Sequence, residues 1–199
     1  MKRLIRTAVA ALAVTLAAFG CANYSATQGW VALIDGNTGL DNFTRIGGAN
    51  WRAEGGAIVA DKSTTKGASV LVSKQKFKDF ELYAEFWADP DTNSGLYIRC
   101  TDQSNVSSRS AYEAQIWDKN PNAAMSTGAL LPMSSVPPIY KTGGRWNTYE
   151  IHAKGPQITI KLNGVVTVFV EDGRYPDGAI GLQQNAGVIK WRKLLVRPL

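Results

Sequence analysis

The run Asn93-Ser94-Gly95-Leu96-Tyr97-Ile98-Arg99 is followed, after a polar segment, by Tyr112-Glu113-Ala114-Gln115-Ile116-Trp117-Asp118. Both runs alternate, with a period of two, between apolar side chains and polar or aromatic ones. Successive side chains of a β-strand point to opposite faces of its sheet, so this period predicts two strands that each have one apolar face. The pair favours an antiparallel β protein and determines which side chains share a face.

The other face of these two strands combines side chains that solvent-facing strands seldom place together. Leu96, Ile98 and Cys100 are predicted on the apolar face of the first strand. The opposite face then holds two aromatic rings, a guanidinium, a carboxylate and an amide: Tyr97, Trp117, Arg99, Glu113 and Gln115. Sugar-binding sites have this composition, because sugar rings pack on flat apolar surfaces and their hydroxyls need directed donors and acceptors.

Strand patterns continue from Trp30 onward, and no stretch shows a helical stripe with caps. Asn163-Gly164, between two alternating runs, predicts a hairpin because both turn residues must tolerate positive φ. Roughly ten or more short strands predict one all-β domain over residues 30–199, a two-sheet jelly-roll sandwich. Polar loops at residues 101–110 and 121–142 are expected to flank the Glu113 strand. The inner faces are predicted to contain Leu82, Phe86, Leu96, Ile98, Ile116, Tyr149, Ile151, Ile158 and Ile160.

Residues 1–20 have the pattern of an export signal, with three basic residues before an apolar stretch too short to span a bilayer comfortably. Cys21 follows Gly20 in a sequence that is similar to a bacterial lipobox. We expect Cys21 to be lipidated and residues 21–29 to form a short tether; cleavage near Gly20 or Ala22 without lipidation is the alternative. Both outcomes predict export, either as a membrane-anchored lipoprotein facing the periplasm or as a soluble periplasmic or secreted protein. The lipid anchor is the only membrane contact that we predict.

Composition argues against several classes of function. The formal net charge is +6 and falls to about +3 without the leader; no basic run interleaved with aromatic residues is present, so nucleic-acid binding is not predicted. His152 is the single histidine, and Cys100 is the only cysteine besides Cys21, which leaves no Cys/His cluster for zinc. We expect Cys100 to be a small buried residue and His152 to lie on a polar strand face. Nothing in the sequence indicates an oligomeric state.

Ordered motifs across nearly the whole mature chain resemble the 3-keto-disaccharide hydrolase domain family. The motifs are Leu33-Ile34-Asp35-Gly36, Phe80-Glu81-Leu82 with Glu85, Asn93-Ser94-Gly95 with Arg99, Tyr112-Glu113-x-Gln115-Ile116-x-Asp118, Trp146-Asn147-x-Tyr149-Glu150-Ile151, Leu162-Asn163-Gly164 and Gly178-x-Ile180-Gly181-Leu182-Gln183. The resemblance implies a concanavalin A-like, lectin-like sandwich on an exported protein. Gln184-Asn185-Ala186-Gly187 departs from the family pattern, in which many members have a histidine, and so does Arg192-Lys193, in place of an Arg-Asn pair. If that histidine serves turnover or metal binding in its relatives, this chain has altered specificity or only binds.

The resemblance implies action on glycosides whose sugar is already oxidised at C3. The C3 ketone acidifies the C2 proton, so that the C1 substituent can leave by elimination before water adds. This chemistry needs a base, a stabiliser of enolate charge and an acid, roles that we assign to Glu113, Arg99 and Asp118. The further substrate contacts that we assign are Asn93, Ser94, Gln115, Gln183 and Glu85, with Tyr97, Trp117 or Trp87 as ring platforms. A divalent metal could share the enolate charge, but the sequence contains no recognisable ligand set.

Three alternatives remain open. Glu113-x-Gln115-x-x-Asp118 is similar to the acid motif of laminarinase-like retaining glycosidases. On a regular strand positions 113 and 118 lie about 16 Å apart on opposite faces, whereas retention requires about 5–5.5 Å, so a bulge would be needed. The second alternative is a non-catalytic carbohydrate-binding module, and the third is a purely structural envelope lipoprotein.

Overall fold

The computed structural model describes residues 29–133 and 140–199. In these ranges fourteen strands form two sheets, and Leu40–Asn42 and Ala123–Met125 form single turns of 3-10 helix. The strands are β1 (Val31–Asp35), β2 (Phe43–Ile46), β3 (Arg52–Glu54), β4 (Ala57–Ala60), β5 (Ser69–Phe77), β6 (Phe80–Ala88), β7 (Ser94–Cys100), β8 (Tyr112–Ile116), β9 (Leu130–Leu131), β10 (Trp146–Lys154), β11 (Gln157–Leu162), β12 (Val165–Glu171), β13 (Gly178–Gln184) and β14 (Ile189–Pro198). In the same ranges no helix is long and apolar enough to cross a membrane.

The two sheets are antiparallel and differ in size. The six-stranded sheet, which we call the front sheet, has the order β2-β5-β13-β7-β8-β9. The eight-stranded sheet, the back sheet, has the order β12-β11-β10-β6-β14-β4-β3, with β1 pairing beside β14. Strands from the two ends of the chain, such as β4 and β14, are neighbours in the back sheet. The predicted all-β, two-sheet sandwich is confirmed.

The core lies between the sheets and follows the alternation of the strands. Both β6 and β10 bury every second residue, so each contributes a continuous apolar inner face. The Phe86 ring stacks on Tyr149 at 5.1 Å between centroids and contacts Trp191 at 5.7 Å. Burial of one such side chain contributes about 1.5–3 kcal/mol. All nine predicted inner residues are in this core: Leu82, Phe86, Leu96, Ile98, Ile116, Tyr149, Ile151, Ile158 and Ile160.

One predicted core position is wrong because β7 contains a bulge. Arg99 has φ 54°, in the left-handed region, and the pairing with β13 shifts there, so that Ile98 and Arg99 together face the single residue Ile180. The extra residue reverses the alternation. Cys100 therefore packs with Tyr97 in a separate cluster on the outer side of the front sheet, instead of with Leu96 and Ile98.

The Asn163-Gly164 hairpin is confirmed. It joins β11 to β12, with positive φ of 51° and 80° at its two residues, as this turn type requires. His152 is half-exposed on the outer side of the back sheet, as expected. The leader, Cys21 and all of the tether except Gly29 lie outside the described residues, and the predictions of lipidation and export stay predictions.

Candidate functional site

The outer face of the front sheet brings together several predicted site residues. β8 alternates as expected, since Tyr112, Ala114 and Ile116 lie in the core. Glu113 and Gln115 consequently point outward, and Tyr97 lies directly opposite Glu113 on β7. Gln183 on β13 is close enough for its side-chain Nε2 to donate to the Tyr97 hydroxyl at 2.6 Å. We call this surface, centred on Glu113, Gln115, Tyr97 and Gln183, the site face.

Glu113 is positioned by a missing side chain on the neighbouring strand. A Cβ placed on Gly95 would lie 2.5 Å from Glu113 Oε1 and 2.8 Å from its Cγ, so the Glu113 side chain occupies the space above the Gly95 backbone. The Glu113 residue is only 5% exposed as a result. A glycine at position 95 is therefore required for the carboxylate to lie flat on the sheet beside Tyr97.

The surroundings of Glu113 favour its neutral form. Burial raises the pKa of Glu113 to about 7, and hydrogen bonds with Tyr97 and Gln183 oppose part of this rise. None of the ion pairs among the described residues includes Glu113, so no cation returns the pKa to its ordinary range. Burial next to the same carboxylate also raises the pKa of Tyr97, so its hydroxyl stays protonated and able to donate. Glu113 can thus exchange a proton near neutral pH.

The side-chain amide of Gln183 is only partly hydrogen-bonded. Its Nε2 is engaged by Tyr97, whereas its buried Oε1 has no hydrogen-bond partner in the described part of the chain. A buried acceptor without a partner costs about 1–3 kcal/mol. Gln115 is also almost fully buried, and its Oε1 accepts from the backbone N–H of Ile116 at 3.1 Å.

Asn93 and Trp117 lie at the end of the site face where β7 begins and β8 ends. Asn93 pairs by its backbone with Ala186 at 3.0 Å, just before β7, and is partly exposed. Trp117 directly follows β8, and its backbone N–H donates to Thr127 Oγ1 at 2.9 Å. Strand alternation places both residues on the side of Glu113. The structure therefore groups Glu113, Gln115, Tyr97 and Gln183 on one face, and continued alternation adds Asn93 and Trp117 at its end.

Arg99 is not part of this group, and the prediction that it faces Glu113 is wrong. Its left-handed backbone directs the guanidinium away from Tyr97. The guanidinium donates to the carbonyl oxygens of Lys78 at 2.9 Å and Gly155 at 2.7 Å, and to Asp79 Oδ1 at 3.2 Å. Arg99 is fully buried and connects loops of the two sheets, so its donors are used by the fold.

The Asp118 carboxylate is engaged by two loops instead of contributing to the site face, which argues against the predicted role of Asp118 as an acid. Its carboxylate accepts hydrogen bonds from the hydroxyls of Thr127 and Thr142 and from the backbone N–H groups of Thr142 and Gly143, at 2.6 to 3.0 Å. The β7–β8 pairing has no register shift over Tyr112–Ile116, so the described strand lacks the bulge that the glycosidase motif would need. Glu113 and Asp118 therefore do not form the carboxylate pair of a retaining glycosidase.

Three further assignments are corrected by strand position. The Ser94 hydroxyl points inward and donates to the Gln183 carbonyl at 2.6 Å. Glu85 is on the back sheet, where it accepts from Tyr83 at 2.8 Å and pairs with Arg192. Trp87 is on the same strand as Glu85, with Lys190 Nζ 4.5 Å from its ring centroid. None of the three lies on the site face.

The sequence patterns did not lead us to predict the apolar part of the site face. Val70 and Val72 of β5 pack with Tyr97 and Cys100 on the outer side of the sheet, and Val106 from the 101–110 loop packs against them. The continuous run Val70-Leu71-Val72 was the available signal, because a strand buried on both faces shows no alternation. Burial raises the pKa of the Cys100 thiol to about 12, which makes it an inert packing residue.

The described residues contain no set of side chains suited to bind a metal ion. No group of three or more His, Cys, Asp or Glu side chains there is arranged to hold a metal ion. The single carboxylate of the site face, Glu113, cannot chelate a cation by itself.

Gly95→Ala tests the positioning of Glu113. The new Cβ would force the carboxylate away from Tyr97, and displacement of a catalytic group by about 1 Å lowers kcat by about 10–100-fold. Steady-state kinetics on the substrate proposed below, with a thermal melt, would measure this. Gly173→Ala is the matched control, because its Cβ would contact only Pro156 at 4.0 Å. Equal kcat in both variants would contradict the positioning role.

Comparisons with known proteins agree with this architecture. The sequence model of a family described as "3-keto-alpha-glucoside-1,2-lyase-like domain" matches residues 29–197. A search of curated protein sequences finds no significant match. Among solved structures, one from Parabacteroides distasonis, provisionally named a glycosyl hydrolase, has 16% identity and a TM-score of 0.72, covering 86% of this chain and 94% of that one.

Two further structures have the same fold. A second protein of P. distasonis, also provisionally named a glycosyl hydrolase, has 23% identity and a TM-score of 0.66, covering 85% of this chain and 99% of that one. The carbohydrate-binding module CBM66 of Bacillus subtilis has 16% identity and a TM-score of 0.55, covering 85% and 95%. At these identities the likeness establishes the lectin-like sandwich fold.

Proposed function

Since the chain belongs to the family of 3-keto-alpha-glucoside-1,2-lyase-like domains, we propose that it is an enzyme that cleaves 3-keto-glycosides with Glu113 as its base. The observation that supports this most is the Glu113 carboxylate. It is buried on the site face, has no cationic partner among the described residues, and is held by Tyr97 and Gln183. A general base works best when its pKa is near the operating pH, which these surroundings provide.

The proposed reaction begins at C2 of the sugar. Glu113 takes the C2 proton, and the C–H electron pair becomes an enolate with the C3 ketone. The enolate collapses to a C1–C2 double bond while the C1–O bond breaks, leaving its electron pair on the aglycone oxygen, which takes up a proton. Water then adds to C1 and a proton returns to C2. The products are the 3-keto sugar and the free aglycone, with protonated Glu113 as the proton carrier.

The other residues of the site face would bind and orient the sugar. Tyr97 keeps its proton and donates it in a hydrogen bond to Glu113, which fixes the carboxylate. The unpartnered Oε1 of Gln183 would accept from a sugar hydroxyl. Gln115 and Asn93 offer further amide groups, and Trp117 offers a flat ring at the edge of the face. With Arg99 engaged by the fold, the enolate charge would be stabilised by donors of this face and by solvent.

The proposal is tested by offering the protein a 3-keto-α-glucoside and its unoxidised parent at equal concentration. We expect release of the 3-keto sugar from the oxidised glycoside only, because the unoxidised C2 proton is not acidic. Chromatography of the products measures both reactions. Hydrolysis of the unoxidised glycoside at a similar rate would contradict the elimination chemistry and favour a direct glycosidase.

A second candidate is a carbohydrate-binding protein without turnover. The observation that favours it is the number of ionisable groups: Arg99 and Asp118 serve the fold, which leaves Glu113 as the one carboxylate at the centre of the site face. A binder needs no base, so Glu113→Gln would then retain sugar affinity and no product would form from either glycoside. Product release from the oxidised glycoside excludes this candidate.

A further inference from the structure

A second concave feature lies on the opposite side of the sandwich. The outer face of the back sheet has a depression of about 330 Å³, which we call the back depression. Its polar and aromatic lining includes Trp30, Glu81, Tyr83, Glu150, His152 and Lys161. The strand register explains why they meet: Glu150 pairs with Tyr83 on one side and with Lys161 on the other, and His152 pairs with Glu81. The two sheets separate this depression from Glu113.

The aromatic rings of the back depression are held in place by neighbouring side chains. The guanidinium of Arg197 lies over the Trp30 ring, 5.2 Å from its centroid. The Tyr83 hydroxyl donates to Glu85 Oε1 at 2.8 Å, which orients the Tyr83 ring. Rings that are ordered before a ligand arrives lose little conformational entropy on binding, and their flat faces suit the C–H surface of a sugar ring.

The charged groups of the back depression are balanced and loosely paired. Glu150 Oε2 is 3.9 Å from Lys161 Nζ, and Glu81 Oε1 is 3.8 Å from His152 Nδ1. Both distances exceed the roughly 2.7–3.2 Å of a direct hydrogen bond, so these atoms retain capacity for additional partners. The other oxygen of Glu81 pairs with Arg197. Two carboxylates thus face two cations and one histidine, which leaves little net charge to attract an ion of either sign.

We propose that the back depression binds a neutral saccharide of one or two rings, independently of the site face. A sugar ring would pack against Trp30 and Tyr83, and its hydroxyls would bridge the Glu150–Lys161 and Glu81–His152 pairs. A volume near 330 Å³ is at the lower end of the range for small-ligand sites, about 300–1,000 Å³. A charged sugar would have to disturb the Glu150–Lys161 ion pair, whereas the hydroxyls of a neutral ring can donate to its carboxylate and accept from its ammonium group. This inference does not depend on the proposed reaction.

The test is a titration followed by NMR chemical shifts and calorimetry. The probes are maltose, cellobiose, sucrose and trehalose as neutral sugars, galacturonate as an anion and glucosamine as a cation. We expect at least one neutral disaccharide to bind wild-type protein and the Glu113→Gln variant equally, with shifts on β10 and β11. Trp30→Ala and Glu150→Gln should each weaken this binding by about tenfold, through loss of a ring contact or of an ion-pair bridge. Glu171→Gln, on the exposed outer edge of β12, is the control and should leave it unchanged.

Three results would overturn the inference. The first is the absence of shifts on β10 and β11 with every neutral probe in the millimolar range. The second is preferential binding of galacturonate or glucosamine at this position. The third is sugar binding with shifts on β10 and β11 that Trp30→Ala and Glu150→Gln leave intact. The Glu113→Gln substitution changes only the site face. A protein without the proposed reaction would show no product release, whereas a protein without a sugar site in the back depression would show no shifts on β10 and β11.

Discussion

Glu113→Gln is expected to lower kcat for a 3-keto-α-glucoside by about 10²–10⁴-fold, the usual contribution of a positioned general base. Glutamine preserves the shape of the side chain above Gly95 and can still hydrogen-bond Tyr97, but it cannot accept the C2 proton. The change should therefore appear in kcat, with KM nearly constant. Glu171→Gln, with an exposed side chain on the back sheet, is the matched control. A variant with wild-type kcat would remove Glu113 from the mechanism.

The pH profile gives a second measure of the same residue. Glu113 acts as a base only when ionised, and its pKa is about 7. The wild-type kcat/KM, which reports the pKa values of the free enzyme, should therefore rise as the pH increases through about 7 and level off above it. The residual activity of Glu113→Gln should lack this rise. A profile that is flat between pH 5 and pH 8 would contradict Glu113 as the base.

Glu113→Gln should also stabilise the fold at alkaline pH. The unfolded chain releases the Glu113 proton near its ordinary pKa of 4.5, whereas the folded protein retains it up to about 7. In that interval the native state binds more protons than the unfolded state, so the free energy of unfolding falls as the pH rises and is constant above about 7. Glutamine has no proton to lose. At pH 8 the free energy of unfolding of the variant should exceed that of the wild type by on the order of 3 kcal/mol, measured by chemical denaturation.

These opposite effects on rate and stability separate a functional carboxylate from a structural one. If a residue serves only the fold, its substitution lowers the free energy of unfolding of the protein, and any loss of activity accompanies that change. A buried base without a cationic partner instead lowers the free energy of unfolding, and its replacement by a neutral side chain raises it. Reduced kcat together with a lowered free energy of unfolding at pH 8 would indicate that Glu113 supports the structure rather than the reaction.

The period of two was sufficient to predict half of the site. Alternation in β8 placed Glu113 and Gln115 on one face, and alternation in β7 placed Tyr97 opposite them, because both strands are regular over these residues. The order of the family motifs added Gln183 to the predicted site residues, and its strand β13 is next to β7 in the front sheet. For these residues, local periodicity and sheet pairing together determine position.

The incorrect assignments of Arg99, Asp118 and Glu85 depend on structural features that a period of two in the sequence cannot predict. Arg99 adopts a left-handed conformation that few non-glycine residues use, and a single inserted residue reversed the faces beyond it. Asp118 lies after the end of its strand, and its partners Thr142 and Gly143 are more than twenty residues away. Glu85 alternates correctly on β6, but β6 belongs to the other sheet. A sequence pattern identifies a face of a strand without identifying the sheet.

Arg99→Met is expected to lower the free energy of unfolding by about 3–5 kcal/mol, the usual cost of removing one member of a buried charged network. The change would leave the carbonyl oxygens of Lys78 and Gly155 without their donor, and Asp79 without its cation. For a domain of this size the melting temperature should fall by about 10 °C. Arg109→Met, on the exposed side of the 101–110 loop, is the control and should change stability by less than about 0.5 kcal/mol.

The same variant distinguishes the two roles considered for Arg99. A guanidinium that stabilises the enolate would lower kcat on removal and leave the fold intact. A guanidinium that joins the loop before β6, the β10–β11 turn and the segment before β13 would lower stability and leave kcat nearly unchanged below the melting temperature. The fully buried position of Arg99 and its hydrogen bonds to backbone carbonyls favour the second result. A normal melting temperature with a large loss of kcat would return Arg99 to the active site, and would require the loop between β7 and β8 to rearrange when substrate binds.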